Sequence, residues 1–440
     1  MERQIEYVPL LRQVQEYIST RYAAALTDKQ NQLRSYVSKY LKDYGYTVSG
    51  MTDEEVTEKL FRDMAEYSVV TPFLDKDNIE EININAWEDM AVTYTNGKIV
   101  KIKEHFYSPI HAQDIIKRML RQSNVTIDKA APMAQGHLSG NTRVTALMNP
   151  LVDDSASIAA SIRLLHPSRV NLKQIVANKT GTQRMIDFLA MCIRYGVSLV
   201  VAGETSSGKT TLLNALMTSI PDEKRIFTIE SGAREFDLVK RNRAGKIVNN
   251  VVHTLSRPSD NKAFDITQED LLVAALRFNP DYIVVGEMRD VEAYSAVEAS
   301  LTGHTVVSTV HANAADGAHM RMALLCQKRF PIDFNTSLIQ VGQAFPIVVY
   351  CHKLENNERK IMDISECEIL PNGERRYRTL FSYNIIKNEI IAGKTVTQGS
   401  FQQEEIISSS LQKRLLQGGV PRDVLEPYLR KGADAACFSH

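Results

Sequence analysis

Residues 196–212 read GVSLVVAGETSSGKTTL, and the patterns on either side are best understood from this segment outward. A short apolar run, Val197–Ala202, predicts a buried strand, and the residues from Leu212 onward begin a helical pattern. Between them, Gly203–Thr210 matches the spacing G-x-x-x-x-G-K-T. A strand, a glycine loop and a helix in this order predict a phosphate-binding P-loop, so we expect a nucleotide site here.

Each residue type in the loop suits phosphate. Gly203 and Gly208 allow unusual backbone angles and a close approach to a ligand. The loop amides and the positive end of the following helix would face the phosphate oxygens. Lys209 would neutralise the β- and γ-phosphates, and the Thr210 hydroxyl would bind Mg²⁺. The predicted nucleotide-binding run is Gly203, Glu204, Thr205, Ser206, Ser207, Gly208, Lys209, Thr210 and Thr211.

Composition limits the number of domains and the redox state of the cysteines but does not indicate a function. The 440 residues allow two or three domains, and 52 basic residues balance 52 acidic ones, so no overall charge favours nucleic acid. Five scattered cysteines without a C-x-x-C pair indicate reduced thiols rather than a disulfide framework. We find neither a signal peptide nor an apolar run of about 18 residues that could span a bilayer, so we expect any membrane role to be exerted through a partner or a surface.

The periodicities predict an α/β fold in several parts. Residues 1–50 read as a helical N-terminal extension, and residues 51–168 mix helix and strand signals, including a capping box at Thr52, as an α+β domain does. Residues 169–182 read as a linker. Residues 183–440 alternate strands and helices, which indicates a mainly parallel sheet, followed by a hairpin near Asn372-Gly373 and a helical tail from about Gln402.

A carboxylate near the metal and the γ-phosphate is the next requirement for hydrolysis. Residues 281–287, DYIVVGE, predict a strand ending in Glu287 that we expect to lie beside the P-loop strand. Such a strand usually ends in two acidic residues, but Gly286 takes the first position. Glu230, at the end of the predicted strand Arg225–Glu230, is predicted to supply the missing carboxylate, and the alternative for either residue is an ordinary solvated strand end. The predicted metal ligands are Thr210, Glu230 and Glu287.

Two histidines flank the predicted strand Thr305–Val310. His304 precedes it and His311 follows it, within the segment TGHTVVSTVHAN at residues 302–313. A histidine after a strand beside the P-loop could hydrogen-bond the γ-phosphate and respond to its loss. We therefore predict that both histidines contact the nucleotide site, with a structural role as the alternative. A zinc site is not predicted, because no third ligand lies at a recognisable spacing.

Four motifs together resemble the secretion ATPase superfamily of type II and type IV secretion and type IV pilus assembly. They are GETSSGKTT at 203–211, TIE at 228–230, LRFNPDYIVVGEMRD at 276–290, and the histidine segment at 302–313. Within that superfamily the chain is most similar to the CpaF-like branch of tight-adherence (Flp) pilus ATPases. The resemblance covers roughly residues 60–350 and implies a RecA-like P-loop core.

The resemblance also implies a mechanism and partners. Members are cytoplasmic, Mg²⁺-dependent ATPases that form homo-hexameric rings and drive an inner-membrane platform protein. Membrane contact is then peripheral, through that partner, and no direct contact with nucleic acid is expected. By position, the implied catalytic residues are Lys209, Glu287, Glu230, His311, and two arginines of the preceding domain, Arg143 and Arg163, with ordinary surface pairing as the alternative for those two.

Several functions stay open at this point, one of them because of a departure from the family pattern. The acidic motif usually reads Ile-Glu-Asp, whereas here Ser231 follows Glu230. A non-hydrolysing structural subunit is therefore an alternative to a motor. The sequence is also compatible with a RecA-type nucleic-acid motor, with a conjugative-transfer ATPase, and with a small-molecule kinase, for which we find no lid or acceptor pocket.

Overall fold

The computed structural model describes residues 3–22, 30–138, 142–165, 170–257 and 262–431. The chain divides into two units, residues 1–165 and residues 166–440. The predicted domain boundaries at residues 50, 168 and 182 stay predictions. The predicted linker belongs to the second unit, where it contains a short helix whose Ile175 is buried in the core.

The first unit begins with helices and continues into an antiparallel sheet. Its elements are β1 (Arg3–Gln4), α1 (Tyr7–Arg21), α2 (Gln30–Tyr44), β2 (Tyr46–Thr47), α3 (Asp53–Ala65), α4 (Thr71–Leu74), β3 (Ile79–Ala86), β4 (Asp89–Tyr94), β5 (Ile99–Lys101), α5 (Pro109–Arg121), β6 (Met133–Leu138), β7 (Thr142–Met148) and β8 (Ile158–Leu164). The sheet order is β5-β4-β3-β8-β7-β6, and all of these neighbours are antiparallel.

Apolar periodicity explains the helices of this unit. Leu10, Val14 and Ile18 of α1 recur every four residues and are fully buried, together with Leu33 and Val37 of α2. The predicted capping box is confirmed at the start of α3, where the Thr52 side chain and the Glu55 side chain each bond the other's amide. The apolar face of α5 adds to the separate core that covers the sheet.

The second unit alternates strands and helices and then turns into antiparallel strands. Its elements are α6 (Leu172–Ala177), α7 (Gln183–Arg194), β9 (Leu199–Gly203), α8 (Lys209–Met217), β10 (Arg225–Glu230), β11 (Asn250–Leu255), α9 (Gln268–Ala275), β12 (Tyr282–Val285), α10 (Glu292–Leu301), β13 (Thr305–Val310), α11 (Ala315–Arg329), α12 (Phe334–Ala344), β14 (Ile347–Lys353), β15 (Arg359–Ile369), β16 (Arg375–Ile391), β17 (Lys394–Gln403), α13 (Ser409–Gln417) and α14 (Arg422–Leu425).

These strands form one sheet in the order β11-β10-β12-β13-β9-β14-β15-β16-β17. The strands from β11 to β14 pair in parallel, and the remaining pairs are antiparallel. Every residue of β9, β12 and β13 is buried, as expected for strands covered on both faces. The predicted α/β fold with a mainly parallel core, preceded by an α+β unit, is confirmed.

Two details of the sequence prediction are wrong. The strand that leads to Glu287, β12, does not lie beside the P-loop strand β9, because β13 pairs with both of them and separates them. The C-terminal part is also more β-rich than predicted. Strand β17 runs to Gln403, and the helical tail begins only with α13 at Ser409.

Candidate nucleotide site

The loop between β9 and α8 has the backbone of a phosphate cradle. A Cβ atom added at Gly203 would lie 2.3 Å from the carbonyl oxygen of Cys351 and 2.5 Å from Ser207 Oγ, so no larger residue fits there. Gly208 is the N-cap of α8 with φ of 90°, a conformation that side chains disfavour. The loop therefore turns sharply, and the first amides of α8 face its mouth.

Lys209 lies inside this loop. Its side chain is buried, and Nζ donates hydrogen bonds to the carbonyl oxygens of Gly203 at 3.0 Å and Glu204 at 2.7 Å. Ser207, also buried, donates its hydroxyl to the Glu204 carbonyl at 2.9 Å. The ammonium is thus held beside the backbone that would surround the phosphates.

Glu287 lies two residues beyond β12, at the same edge of the sheet as the loop. Thr309 of β13 makes hydrogen bonds to the residues immediately before and after Glu287. The Thr309 hydroxyl donates to the carbonyl of Gly286 at 2.8 Å, and the amide of Met288 donates to the Thr309 carbonyl at 2.9 Å. The carboxyl ends of parallel strands lie at one edge of the sheet. Strand β13 lies between β12 and β9, so Thr309 connects the Glu287 turn to the edge where the P-loop begins.

The two oxygens of the Glu287 carboxylate differ. Oε2 pairs with Nη2 of Arg289 at 2.5 Å. Oε1 lies 3.1 Å from His311 Nε2, yet it is buried and makes no hydrogen bond within the described part of the chain. A buried carboxylate oxygen without a donor is uncommon, and it leaves Oε1 able to accept from a water or bind a cation.

His311 follows β13 directly, and Val310 before it pairs with Ala202 of β9. Burial and the neighbouring Lys209 charge lower the pKa of His311, although the Glu287 carboxylate opposes this shift. The imidazole is therefore neutral at pH 7 and has one donor and one acceptor nitrogen. The structure thus brings Lys209, Glu287 and His311 to one place, and their contact with a nucleotide stays a prediction.

His304 is not part of this group. His304 precedes β13 and His311 follows it. The six residues of this strand place the two histidines about 20 Å apart. Its Nδ1 lies 3.1 Å from the carbonyl oxygen of Pro280, at the opposite edge of the sheet. His304 and His311 therefore lie at opposite ends of β13, and a contact between His304 and the nucleotide stays a prediction.

Glu230 occupies the predicted position at the end of β10 but is engaged with the backbone. Its side chain is 2% exposed, and Oε2 accepts hydrogen bonds from the amides of Glu235 and Phe236. Oε1 accepts from the Thr228 hydroxyl at 3.2 Å and lies 3.7 Å from His253 Nδ1. These contacts hold the turn that contains Ser231, and a metal-binding role for Glu230 stays a prediction.

Arg143 and Arg163 belong to the first unit. They face each other on the antiparallel strands β7 and β8, and Glu81 of β3 is the next residue in the same row. Directly opposed residues share one face, so two guanidinium groups and one carboxylate line up across the sheet. Gly140 and Asn141, from the same motif as Arg143, lie outside the described residues.

Two contacts near the loop were not predicted from the sequence. Arg289 pairs with Glu287 and could have been suspected from the spacing GEMRD. Arg359 donates from Nε to the carbonyl oxygen of Ser206 at 3.0 Å, and no sequence pattern connects residues 153 positions apart.

The cradle fits nucleotide phosphates with Mg²⁺. Thr210 is the second residue of α8, and Glu287 Oε1 is an available oxygen at the same edge. No cluster of three or more metal-binding side chains occurs in the described ranges, but Mg²⁺ typically binds one or two protein groups and completes its shell with phosphate and water.

Comparison with known proteins identifies the family. Residues 65–418 match the family model described as Type II/IV secretion system protein, and the chain belongs to that family. A protein of Methanocaldococcus jannaschii is 24% identical over 393 residues, which are 86% of this chain and 69% of the relative. The type IV secretion system protein PtlH of Bordetella pertussis is 33% identical over 191 residues, which are 42% of this chain and 54% of PtlH.

Among solved structures, the pilus retraction motor PilT with bound ADP is 21% identical and matches 79% of this chain and 85% of its own, with a TM-score of 0.48. The predicted superfamily is thereby confirmed by the family model, while the CpaF-like branch stays a prediction. Across the described residues, no helix is both long and apolar enough to cross a membrane.

Proposed function

We propose that this protein is a Mg²⁺-dependent ATPase that powers a secretion or pilus machine. One observation carries the proposal: Lys209, Glu287 and His311 meet at the P-loop edge of the sheet, and Glu287 presents a buried oxygen without a hydrogen bond. A buried polar group of this kind is costly unless a ligand or water uses it. Family membership supports the same conclusion.

The residues divide the chemistry among them. Lys209 leaves its two loop carbonyls for the phosphate oxygens and neutralises their charge. Glu287 Oε1 accepts a hydrogen bond from a water molecule and orients it. The water oxygen then bonds to the γ-phosphorus, the bond from that phosphorus to the bridging oxygen breaks, and the carboxylate takes the proton.

Arg289 and His311 set the orientation of the Glu287 carboxylate. Arg289 occupies Oε2, so that Oε1 is the oxygen left for water. His311 is neutral and lies against Oε1, where it can donate to the γ-phosphate or to the departing phosphate without adding a competing positive charge to the base.

Mg²⁺ would be held by the Thr210 hydroxyl and, through water, by Glu287, and it would supply charge neutralisation for the β- and γ-phosphates. We keep Glu230 as a candidate metal ligand, although its carboxylate already accepts two backbone amides. A Glu230→Gln variant distinguishes the two roles. Loss of a structural hydrogen bond lowers the free energy of unfolding, whereas loss of a metal ligand raises the Mg²⁺ concentration that hydrolysis needs.

Arg143 and Arg163 are proposed to close on the γ-phosphate from the preceding unit. Arg143 and Arg163 occupy opposed positions on β7 and β8, and arginine can bind phosphate oxygens with paired N–H donors. A triphosphate would favour closure, and its hydrolysis would weaken the closed state. Such closure couples chemistry to domain motion.

At the level of the cell, we propose a homo-hexamer at the cytoplasmic face of the membrane, with peripheral contact through an inner-membrane platform protein. The machine would assemble or retract a pilus, of the tight-adherence type by resemblance, or export protein. Nucleic acid is not expected to bind directly, because the net charge is zero.

The proposal is tested by measuring ATP binding and phosphate release in a Glu287→Gln variant. We expect it to retain ATP on a native gel or filter while releasing no phosphate. Loss of ATP binding would instead assign Glu287 to the structure of the site, and unchanged phosphate release would remove it from catalysis.

A further inference from the structure

The hairpin formed by β14 and β15 contacts the P-loop at its tip. Cys351 of β14 pairs in register with Gly203, and Lys353 pairs with Arg359 across a tight turn. Arg359 then reaches back to the loop, donating from Nε to the Ser206 carbonyl at 3.0 Å. The hairpin is thus joined to the loop through its backbone, through Arg359, and through His352, whose Nδ1 lies 3.7 Å from Glu204 Oε2.

Arg359 also covers the most constrained part of the loop. A Cβ atom at Gly208 would lie only 3.1 Å from Arg359 Cδ, so the side chain lies directly against this glycine. Ser206 has φ of 61° and Gly208 has φ of 90°. Left-handed backbone at a non-glycine residue costs free energy, and a charge-assisted bond to its carbonyl helps to retain it.

The next two residues of β15 hold a different part of the unit. Lys360 is 4% exposed, and its Nζ donates to the Lys179 carbonyl at 2.9 Å. The amide of Ile361 donates to the Thr180 carbonyl at 2.8 Å, and the Ile361 side chain lies against Gly181. Residues 179–181 belong to the segment that leads along the chain from the first unit into the second.

We propose that Arg359 and Lys360 link the P-loop to the 179–181 segment, so that nucleotide binding at the loop and the anchoring of this segment are coupled. Arg359 is a positioning residue that holds Ser206 and Gly208 ready for phosphate. Lys360, one position along the same strand, passes the displacement of β15 to the segment that follows the first unit. The link rests on the proposed nucleotide site.

Coupling of this kind must be reciprocal. If nucleotide strengthens the hold on residues 179–181, then weakening that hold must weaken nucleotide binding by the same factor. Two substitutions separate the halves of the link. Arg359→Gln removes the charged bond to Ser206. Lys360→Met keeps the buried stem of the side chain while removing its bond to Lys179, together with its 3.1 Å ion pair to the more exposed Glu358.

The experiment is amide hydrogen exchange of the full chain with and without ADP and Mg²⁺, together with the Kd for ADP. In the wild type, ADP should slow exchange at residues 203–211 and also at Ile361 and residues 178–182. Arg359→Gln should raise the Kd about tenfold and, at saturating ADP, abolish the slowing at 178–182. Lys360→Met should also abolish it, with a Kd change of about twofold.

Arg376→Gln is the matched control. Arg376 lies on β16 with a side chain that is 52% exposed and pairs only loosely, at 3.6 Å, with Glu405. It should behave as wild type in both measurements. Thermal unfolding of each variant shows whether the change has merely loosened the fold.

The outcomes are distinct. Slowing at 178–182 that survives in Arg359→Gln at saturating ADP overturns the link, and so does wild-type slowing confined to residues 203–211. An absence of slowing at 203–211 in the wild type overturns the nucleotide site itself, and the proposed function with it. Slowing lost in both variants but kept in Arg376→Gln supports the link.

Discussion

Replacing Glu287 with glutamine should lower the rate of hydrolysis far more than it lowers the free energy of unfolding. The substitution changes the shape of the side chain very little. Its ion pair with Arg289 is weak, since the Arg289 side chain is 61% exposed, and losing such a pair costs about 1 kcal/mol at most. In a unit of this size that lowers Tm by about 3 °C.

The effect on the rate should be much larger. Removing a general base typically costs about 10²–10⁴ in kcat, or about 3–5 kcal/mol of barrier. Phosphate release at saturating ATP should therefore fall at least about a hundredfold. The affinity for ATP should change by less than about threefold, because the P-loop and Lys209 are untouched.

Asp290→Asn is the matched control. Asp290 is a carboxylate three residues further along the same turn, with a side chain that is 61% exposed and paired to Lys328. It should retain more than half of the wild-type rate. A Glu287→Gln variant that keeps about a tenth or more of the wild-type rate would refute the assignment of Glu287 as the base.

Three further substitutions test separate features of the site and the fold. Gly203→Ala should lower the free energy of unfolding by about 1–3 kcal/mol and abolish nucleotide binding, since the added methyl would overlap the Cys351 carbonyl. Gly286→Ala, whose methyl would make only ordinary contacts at 3.5 Å or more, should cost less than about 1 kcal/mol in urea unfolding; equal losses would contradict this steric argument. Glu230→Gln should lose about 1–3 kcal/mol of stability while keeping most of its rate at saturating Mg²⁺. An unchanged stability with a Mg²⁺ requirement raised tenfold would instead make Glu230 a metal ligand. His319, whose pKa burial lowers to about 4, should make stability fall by about 3 kcal/mol in all as pH drops from 6.5 to 4, because the unfolded chain binds the proton more readily; His319→Gln should flatten this part of the profile, and an unchanged profile would assign the acid loss elsewhere.

Local patterns predicted the elements of the site well. The bounds of β10 and β13 follow from short apolar runs between turn residues, and the spacing of the glycines and Lys209 predicts the P-loop. Strand β12 ends at Val285, two residues before the predicted end at Glu287. These signals are local, because each depends on neighbours within a few residues. The sequence therefore located the elements that carry these residues, whose contact with a nucleotide stays a prediction.

Spatial order was less accessible to prediction. A strand pattern carries no information about which strand becomes its neighbour, so β13 was not expected between β12 and β9. The separation of His304 from His311 has a different origin, because the two residues flank the same strand in the sequence and the strand length alone sets their distance. Arg359 had no signal, because its contact with Ser206 depends on the hairpin folding back onto the loop.

The resemblance predicted the position of Glu230 in the sequence but not the hydrogen bonds that its carboxylate accepts. Its two backbone amide donors come from residues 235 and 236, which no family pattern specifies. A motif can identify a carboxylate at the expected position, but only the surrounding donors show whether that carboxylate is available to a ligand.

The most direct measurement of the central claim is the initial rate of phosphate release from ATP and Mg²⁺ by the purified full chain, compared with its Lys209→Ala variant. We predict measurable hydrolysis that is lost in the variant, while both proteins unfold at similar temperatures. A wild type that hydrolyses ATP no faster than Lys209→Ala would contradict the proposed function.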